Sequence, residues 1–327
     1  MILNSKLIVI LGPTSSGKSA LGIALAKKFK GEIISADSRQ VYKGMDLGTG
    51  KVTKKEQRLV PHHLLNIANP KRKFTVSQFK TLADKAIKQI QRKNKLPFLV
   101  GGSAFYIYAV IDDLTIPEVK PNVKLRKELE KKTTKELFSM LNKLDPHRAK
   151  LIDKNNPRRL IRAIEIIKST GKPIPELSFP RKRESSDWIP CLSGRQADQV
   201  RNDSVLILGI TNDKKTLHKI IDQRLKTRLK QGMIAEIKRL IKQGVSFNRL
   251  DELGLEYRYV GKYLKSEISY DEMVTQLSSQ IKKFAVRQMT WFKRDKRIHW
   301  IINQKEAEKL LLSSLRKERQ TFRKQES

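Results

Sequence analysis

Eight consecutive residues, Gly12-Pro13-Thr14-Ser15-Ser16-Gly17-Lys18-Ser19, carry the most legible chemistry in this sequence. A glycine-bounded turn that opens a helix gathers backbone N–H groups and the positive end of the helix dipole at one point, where a phosphate fits. Lys18 adds a positive charge and Ser19 a hydroxyl suited to Mg2+. The pattern specifies a phosphate without specifying the compound that carries it, and a nucleotide kinase would use the same cradle for ATP.

A second constellation is Asp37-Ser38-Arg39-Gln40-Val41-Tyr42, which offers a carboxylate, an amide and an aromatic ring within six positions. That combination suits holding a base and taking a proton from it. The structural alternative for Asp37 is a turn or helix cap. A third is Gly101-Gly102-Ser103. Two glycines allow close backbone approach by a ligand, with Ser103 as ligand donor or helix cap. Nucleotide-hydrolysing P-loop proteins are expected to place an acidic Mg2+ ligand at such a strand end, so hydrolysis loses support here. The pair His62-His63 lacks a neighbouring cysteine or acidic cluster, and successive side chains on extended backbone diverge, so a structural loop is expected rather than a metal site.

These groups need a frame. Leu7–Leu11, Glu32–Ala36 and Leu96–Val100 read as short buried strands, and Val205–Ile210 as another. In an open parallel sheet the strand carboxyl ends share an edge, which would bring Asp37 beside the phosphate turn. Apolar residues at helical spacing predict helices after Ser19, over Phe74–Arg92, Lys214–Lys230 and Ile234–Lys242, and a last long one from about Tyr270 that contains Val286 to Arg294. Phe284, Met289 and Phe292 are expected in the core. A closing strand is predicted over Arg297–Ile302, followed by a basic tail that forms a frayed helix or stays disordered. Between Thr115 and Gly171 the strand pattern stops. The clearest helix there starts at the cap Asn156 with Pro157 next, buries Leu160, Ile161, Ile164 and Ile167, and crowds Arg158, Arg159 and Arg162 into its first turns. Cations there oppose the helix dipole, which an outside anion such as an RNA phosphate would offset. The expected class is α/β, a parallel sheet flanked by helices with a helical insertion. Residues 1–114 would form the first part of the core, 115–203 the insertion, 204–303 the second part and 304–327 the tail, with a mobile loop at 178–204.

Composition narrows the partner. With 69 Lys and Arg against 33 Asp and Glu, the formal charge is +36, which points to a polyanion, nucleic acid before membrane. One cysteine, Cys191, rules out an internal disulfide and fits a reducing compartment. No apolar run approaches the roughly 18 residues of a membrane span, so a cytoplasmic protein is expected.

Taken in order, the motifs resemble those of bacterial tRNA dimethylallyltransferases: the Gly12–Ser19 turn, Ala36–Tyr42, Pro61–Leu65, Leu99–Ser103, Asn156–Arg159, Gly254-Leu255-Glu256-Tyr257-Arg258 and Arg287-Gln288-Met289-Thr290-Trp291-Phe292. The resemblance covers about residues 5 to 302. It implies a P-loop NTPase-like, nucleotide-binding-type core and transfer of a dimethylallyl group from its diphosphate to N6 of the adenosine just 3′ of the anticodon, in tRNAs reading codons that begin with U. By that resemblance Gly12 to Ser19 hold the diphosphate, with Ser19 on Mg2+, and Asp37 is the general base. Ser103, where the family has threonine, and Arg258 act at the reacting centre. Ser38, Arg39, Gln40, Ser103, Tyr257 and Arg258 contact the RNA, with Arg126, the segment Arg158 to Arg162 including Leu160 and Ile161, and Arg287, Gln288 and Trp291 as further contacts. A monomer is implied. Asn66 departs from the family's aspartate, and 178–204 looks inserted.

Overall fold

The computed structural model describes residues 6–117, 119–173 and 204–326. The predicted loop at 178–204 lies outside the described residues except for Ser204, as does Cys191. Six strands, β1 (Leu7–Leu11), β2 (Glu32–Ala36), β3 (His62–His63), β4 (Pro97–Gly101), β5 (Val205–Ile210) and β6 (His299–Ile301), form one sheet in the order β3-β2-β4-β1-β5-β6. Every pairing is parallel. Such a sheet must be covered on both faces, which is why β1, β2 and β4 are buried throughout. Leu7, Val9 and Leu11 of β1 point into one core with Ile34, Leu99 and Ile207, whereas Ile8 and Ile10 point into the other with Ile33, Phe98 and Leu208. The first core is closed by the helix Val76–Arg92, by Ala104–Ile111, and by helices between Lys214 and Phe292. The second is closed by the helix Lys18–Lys28 and by the C-terminal helix.

The C-terminal segment takes the helical one of its two expected forms. Gln304–Glu326 is one helix. Ala307 and Leu311, one turn apart, bury into the second core, and Glu308 pairs with Lys28 at 2.6 Å. The stretch Lys43–Pro70, expected as loop, holds the short helix Lys54–Leu59, closed by a capping box between Thr53 and Glu56, and the two-residue strand β3. Phe284, expected inside, is 39% exposed. The buried line of its helix runs Leu277, Ile281, Ala285, Gln288, Phe292, and this phase puts residue 284 outside.

The chain divides into two compact units, Met1–Asp112 with Gly194–Ser327, and Asp113–Ser193. The second unit packs the helices Val123–Leu129, Thr134–Leu144, Pro146–Leu151 and Pro157–Thr170 around Leu129, Leu137, Leu141, Leu160 and Ile164. Asn156 caps the last of these by accepting from the N–H of Arg159, Pro157 takes the first position, and Gly171 ends it at φ 65°.

Candidate active site

Strand register builds the site. Gly101 at the end of β4 pairs with Leu11 of β1 on one side and Ala36 of β2 on the other. The three chains therefore leave the sheet side by side: the Gly12–Ser19 turn after β1, Gly102-Ser103 after β4, and Asp37 after β2. Two strand spacings separate the outer pair, roughly 10 Å. This edge, beside the strand where the connections change direction, is where doubly wound sheets bind ligands.

The cradle takes its shape from Ser15 at φ 65° and Gly17 at φ 92°, both left-handed, which turn successive N–H groups toward one side. Gln288, 7% exposed, braces it: its Oε1 accepts from the N–H of Thr14 at 2.8 Å and its Nε2 donates to the carbonyl of Gly102 at 2.7 Å. A Cβ on Gly102 would lie 2.5 Å from that Nε2, so the strut requires glycine there. Ser16 Oγ is buried with no partner. Lys18 Nζ donates to the carbonyl of Pro13 at 3.0 Å, and burial lowers its pKa to about 8, with Asp37 opposing and Arg224 and Arg228 adding to the shift. Arg224 donates to Ser15 Oγ at 3.2 Å, and burial together with Arg228 lowers its pKa to about 10.

On the facing wall, Asp37 Oδ1 accepts from the N–H of Arg39 at 2.8 Å and of Gln40 at 3.3 Å. No described bond engages Oδ2. Ser103 stands at the helix start but makes no side-chain cap; its Oγ accepts from the N–H of Ser38 at 3.0 Å and donates to Ser38 Oγ at 3.4 Å. Gln40 accepts from Ser35 Oγ at 3.1 Å and donates to the carbonyl of Gly50 at 3.4 Å. Tyr42, expected to offer its ring to the site, is 3% exposed, with its hydroxyl accepting from the N–H of Phe74 and from Arg249. The turn over residues 38–41 delivers it to the core beside buried Val41, where its backbone bridges Ala68.

Lys51, buried, donates to Asp46 at 2.7 Å, to the carbonyl of Tyr42 at 2.9 Å and to Asn66 Oδ1 at 2.6 Å. The amide oxygen thus serves where a carboxylate was expected. Asn66 also sits at φ 56°, a conformation asparagine tolerates well. His63 bonds Glu32 at 2.7 Å and His62 the carbonyl of Val60 at 2.7 Å, so both stitch β3 to its surroundings. Burial would raise the pKa of Glu32, but hydrogen bonds from Lys95, His63 and Lys93 win and hold it at about 2.

Other residues singled out in the sequence sit elsewhere. Tyr257 is 1% exposed and donates to Glu236 Oε1 at 2.9 Å. Glu236, itself buried, accepts from the N–H groups of Asp46, Leu47 and Gly48 at 2.8, 2.7 and 3.1 Å. Among described contacts, Arg258 donates to the carbonyl of Asp251 at 2.8 Å and touches no cradle residue. Arg287 lies over the Phe284 ring at 5.9 Å on the exposed side of its helix. Within the second unit, Glu165 is fully buried and takes Arg126 at 2.7 Å and Arg162 at 2.6 Å. Leu160 and Ile161 belong to that unit's core, whereas Arg158 and Arg159 are exposed.

Sequence reading missed Arg224, Arg228, Glu236 and Glu256. The signal for the arginines was their phase: Leu217, Ile221 and Leu225 are the buried line of their helix, and 224 and 228 border it.

Comparison with known proteins follows the same outline. The IPP transferase family model matches residues 40–295. A tRNA dimethylallyltransferase of Carboxydothermus hydrogenoformans is 40% identical over 309 residues, covering 93% of this chain and 94% of that protein. One from Halothermothrix orenii is 38% identical over 301 residues, 91% of this chain and 87% of its own. The full-length tRNA isopentenylpyrophosphate transferase of Bacillus halodurans superposes with a TM-score of 0.69 at 31% identity, covering 98% of this chain and all of that one. A eukaryotic dimethylallyltransferase captured acting on tRNA gives 0.70 at 26% identity, covering 90% and 73%.

Proposed function

We infer the reaction from two observations: the chain belongs to the IPP transferase family, and its strand register brings the Gly12–Ser19 turn and Asp37 out at one sheet edge, on either side of Gly102-Ser103. The enzyme transfers a dimethylallyl group from dimethylallyl diphosphate to tRNA, at N6 of the adenosine 3′ of the anticodon in tRNAs reading codons that begin with U. The register that aligns Leu11, Gly101 and Ala36 carries this reading, because roughly 10 Å between the outer chains accommodates the reacting line from a carboxylate through N6 and the first allyl carbon to the departing oxygen.

The diphosphate lies in the Gly12–Ser19 turn, with Lys18 and Arg224 on its oxygens, where they stabilise the charge that develops as the carbon–oxygen bond breaks. The adenine, drawn out of its stack, lies between Ser38, Arg39, Gln40 and Ser103. Its amine attacks the first carbon of the allyl chain, diphosphate departs, and the N6 proton passes to Asp37 Oδ2. An aromatic amine becomes acidic only as the new bond forms, so a well-placed carboxylate suffices. The bonds from Arg39 and Gln40 to Oδ1 fix the carboxyl plane and leave the other oxygen to act.

Oxygen chemistry at the cradle fits Mg2+, which keeps several waters and takes substrate phosphates together with the hydroxyl that follows a P-loop lysine. Ser19 supplies the hydroxyl, and the unpartnered buried Ser16 Oγ is a further oxygen at the turn. When bound, the ion would neutralise charge on the leaving diphosphate. Arg158 and Arg159, with Arg287 and Trp291, supply cations and a ring for the anticodon stem-loop, in keeping with the net charge of +36. No helix among the described residues is long and apolar enough to cross a membrane, and we assign the protein to the cytoplasm as a monomer.

Incubation of unmodified tRNA with dimethylallyl diphosphate and Mg2+ tests the reaction. Mass analysis of the digested RNA should show one dimethylallyl group on the adenosine 3′ of the anticodon. An unchanged mass with intact protein would overturn the assignment.

A further inference from the structure

Two guanidinium groups meet beside the cradle. Arg224 and Arg228 stand one helical turn apart, on the same side of the Lys214–Lys230 helix. Arg228's guanidinium runs through the space that a Cβ on Gly50 would fill, and Arg224 Nη2 lies 3.1 Å from that same point. Gly50, at φ 59°, thus makes room for two neighbouring like charges.

Their compensation is incomplete. Arg224 has the neutral Ser15 hydroxyl. Arg228 has Glu256, at 3.5 Å, with side chains 13% and 19% exposed. That separation is well beyond the 2.7–2.9 Å or so of a close charge-assisted hydrogen bond. Burial accordingly pushes the Glu256 carboxyl up despite Arg228, and Asp37 adds to the rise. Glu256 and Glu56 also act on Arg224, yet the cations Lys18, Arg39, Arg224 and Arg228 still outnumber the carboxylates Asp37, Glu56 and Glu256. A diphosphate brings more negative charge and the paired oxygens that a planar guanidinium binds two at a time.

We propose that Arg228 is a second guanidinium of the diphosphate site and that Glu256 competes with diphosphate for it, loosening the enzyme's hold on the departed product. The inference rests on the prenyl-transfer reading of the cradle. A site that stabilises the leaving group must also release it. Glu256 makes release easier because Arg228 exchanges one anion for another and is never left buried and unpaired.

Binding of inorganic diphosphate with Mg2+ to the full chain, measured by calorimetry, tests this directly. Arg228→Met should weaken binding about 10- to 100-fold, the range for charged hydrogen bonds. Glu256→Gln keeps shape and removes charge, and should tighten binding by roughly 2- to 5-fold, the range of a modest charge interaction. In the double variant the gain from Glu256→Gln should shrink well below its value in wild type, because Glu256 acts chiefly through Arg228 and only more weakly on Arg224. Arg228→Lys keeps charge without the planar fork and serves if Arg228→Met fails to fold; it should bind less tightly than wild type while keeping a gain from Glu256→Gln. Unchanged or weaker binding in Glu256→Gln overturns the proposal. So does a gain from Glu256→Gln as large in the Arg228→Met background as in wild type, or wild-type affinity in Arg228→Met or Arg228→Lys. Transfer to tRNA is assayed separately: the binding pattern without transfer would refute the proposed reaction alone, and transfer without the pattern would refute this inference alone.

Discussion

Gln288 is the most informative position to perturb. Both ends of its amide are committed, one accepting from Thr14 N–H at 2.8 Å and the other donating to the Gly102 carbonyl at 2.7 Å, in a side chain 7% exposed. Gln288→Met keeps the volume and deletes both bonds. Leaving a buried polar group unsatisfied costs about 1–3 kcal/mol, so two cost roughly 2–6 kcal/mol. At about 2–4 °C per kcal/mol for a domain of this size, the melting temperature should fall by roughly 4–24 °C. Gln288→Glu has nearly the same shape and can still accept from Thr14, but it sets a carboxylate against the Gly102 carbonyl and beside the anion cradle. Its diphosphate affinity should therefore fall below that of Gln288→Met. Differential scanning calorimetry and diphosphate titration of both variants read these effects. Melting within a degree of wild type for Gln288→Met, or tighter diphosphate binding by the Glu variant than by the Met variant, would show that Gln288 is not a strut of the cradle.

Asp37→Asn keeps an oxygen to accept from Arg39 and Gln40 but removes the proton acceptor, so melting should hold while transfer to tRNA falls by about 10²- to 10⁴-fold; retained turnover would exclude Asp37 as the base. Lys18, lowered by burial to about 8, binds the anion only when protonated, so diphosphate affinity should drop as pH climbs through about 8, and calorimetry of Lys18→Met should lack that step. Arg158→Ala with Arg159→Ala should weaken tRNA binding and flatten its salt slope without a melting change, because both side chains are exposed. Arg162→Ala, by contrast, strips a partner from fully buried Glu165 and should destabilise the second unit by about 3 kcal/mol, read as earlier proteolysis between residues 123 and 170.

What could be read from the sequence was what repeats locally. Hydrophobic runs gave β1, β2, β4 and β5, and the placement of Gly12, Asp37 and Gly102 at their ends followed from parallel topology alone. Asn156, Pro157 and Gly171 marked one helix at both ends because capping is encoded within four residues. Groups whose roles depend on distant partners stayed hidden. Glu236 lies 188 residues from Gly48 in the chain, and Arg224 lies 209 from Ser15. Tyr42 and Phe284 were misplaced because composition does not fix the phase of a short turn or of one residue bordering a buried stripe. Arg162 looked like a surface grip on RNA, and only its contact with buried Glu165 shows that it also holds its own unit together.

Glu236 acts as a mould for the backbone between Asp46 and Gly48. Three amides and a phenol wrap one carboxylate, so the curvature of that segment is inherited from a side chain on the helix Met233–Lys242. The cast segment runs straight into Gly50 and Lys51, whose neighbours are Gln40, Arg224 and Arg228. Evolution can therefore retune which base is admitted and how firmly the anion is held by altering a residue that touches neither substrate.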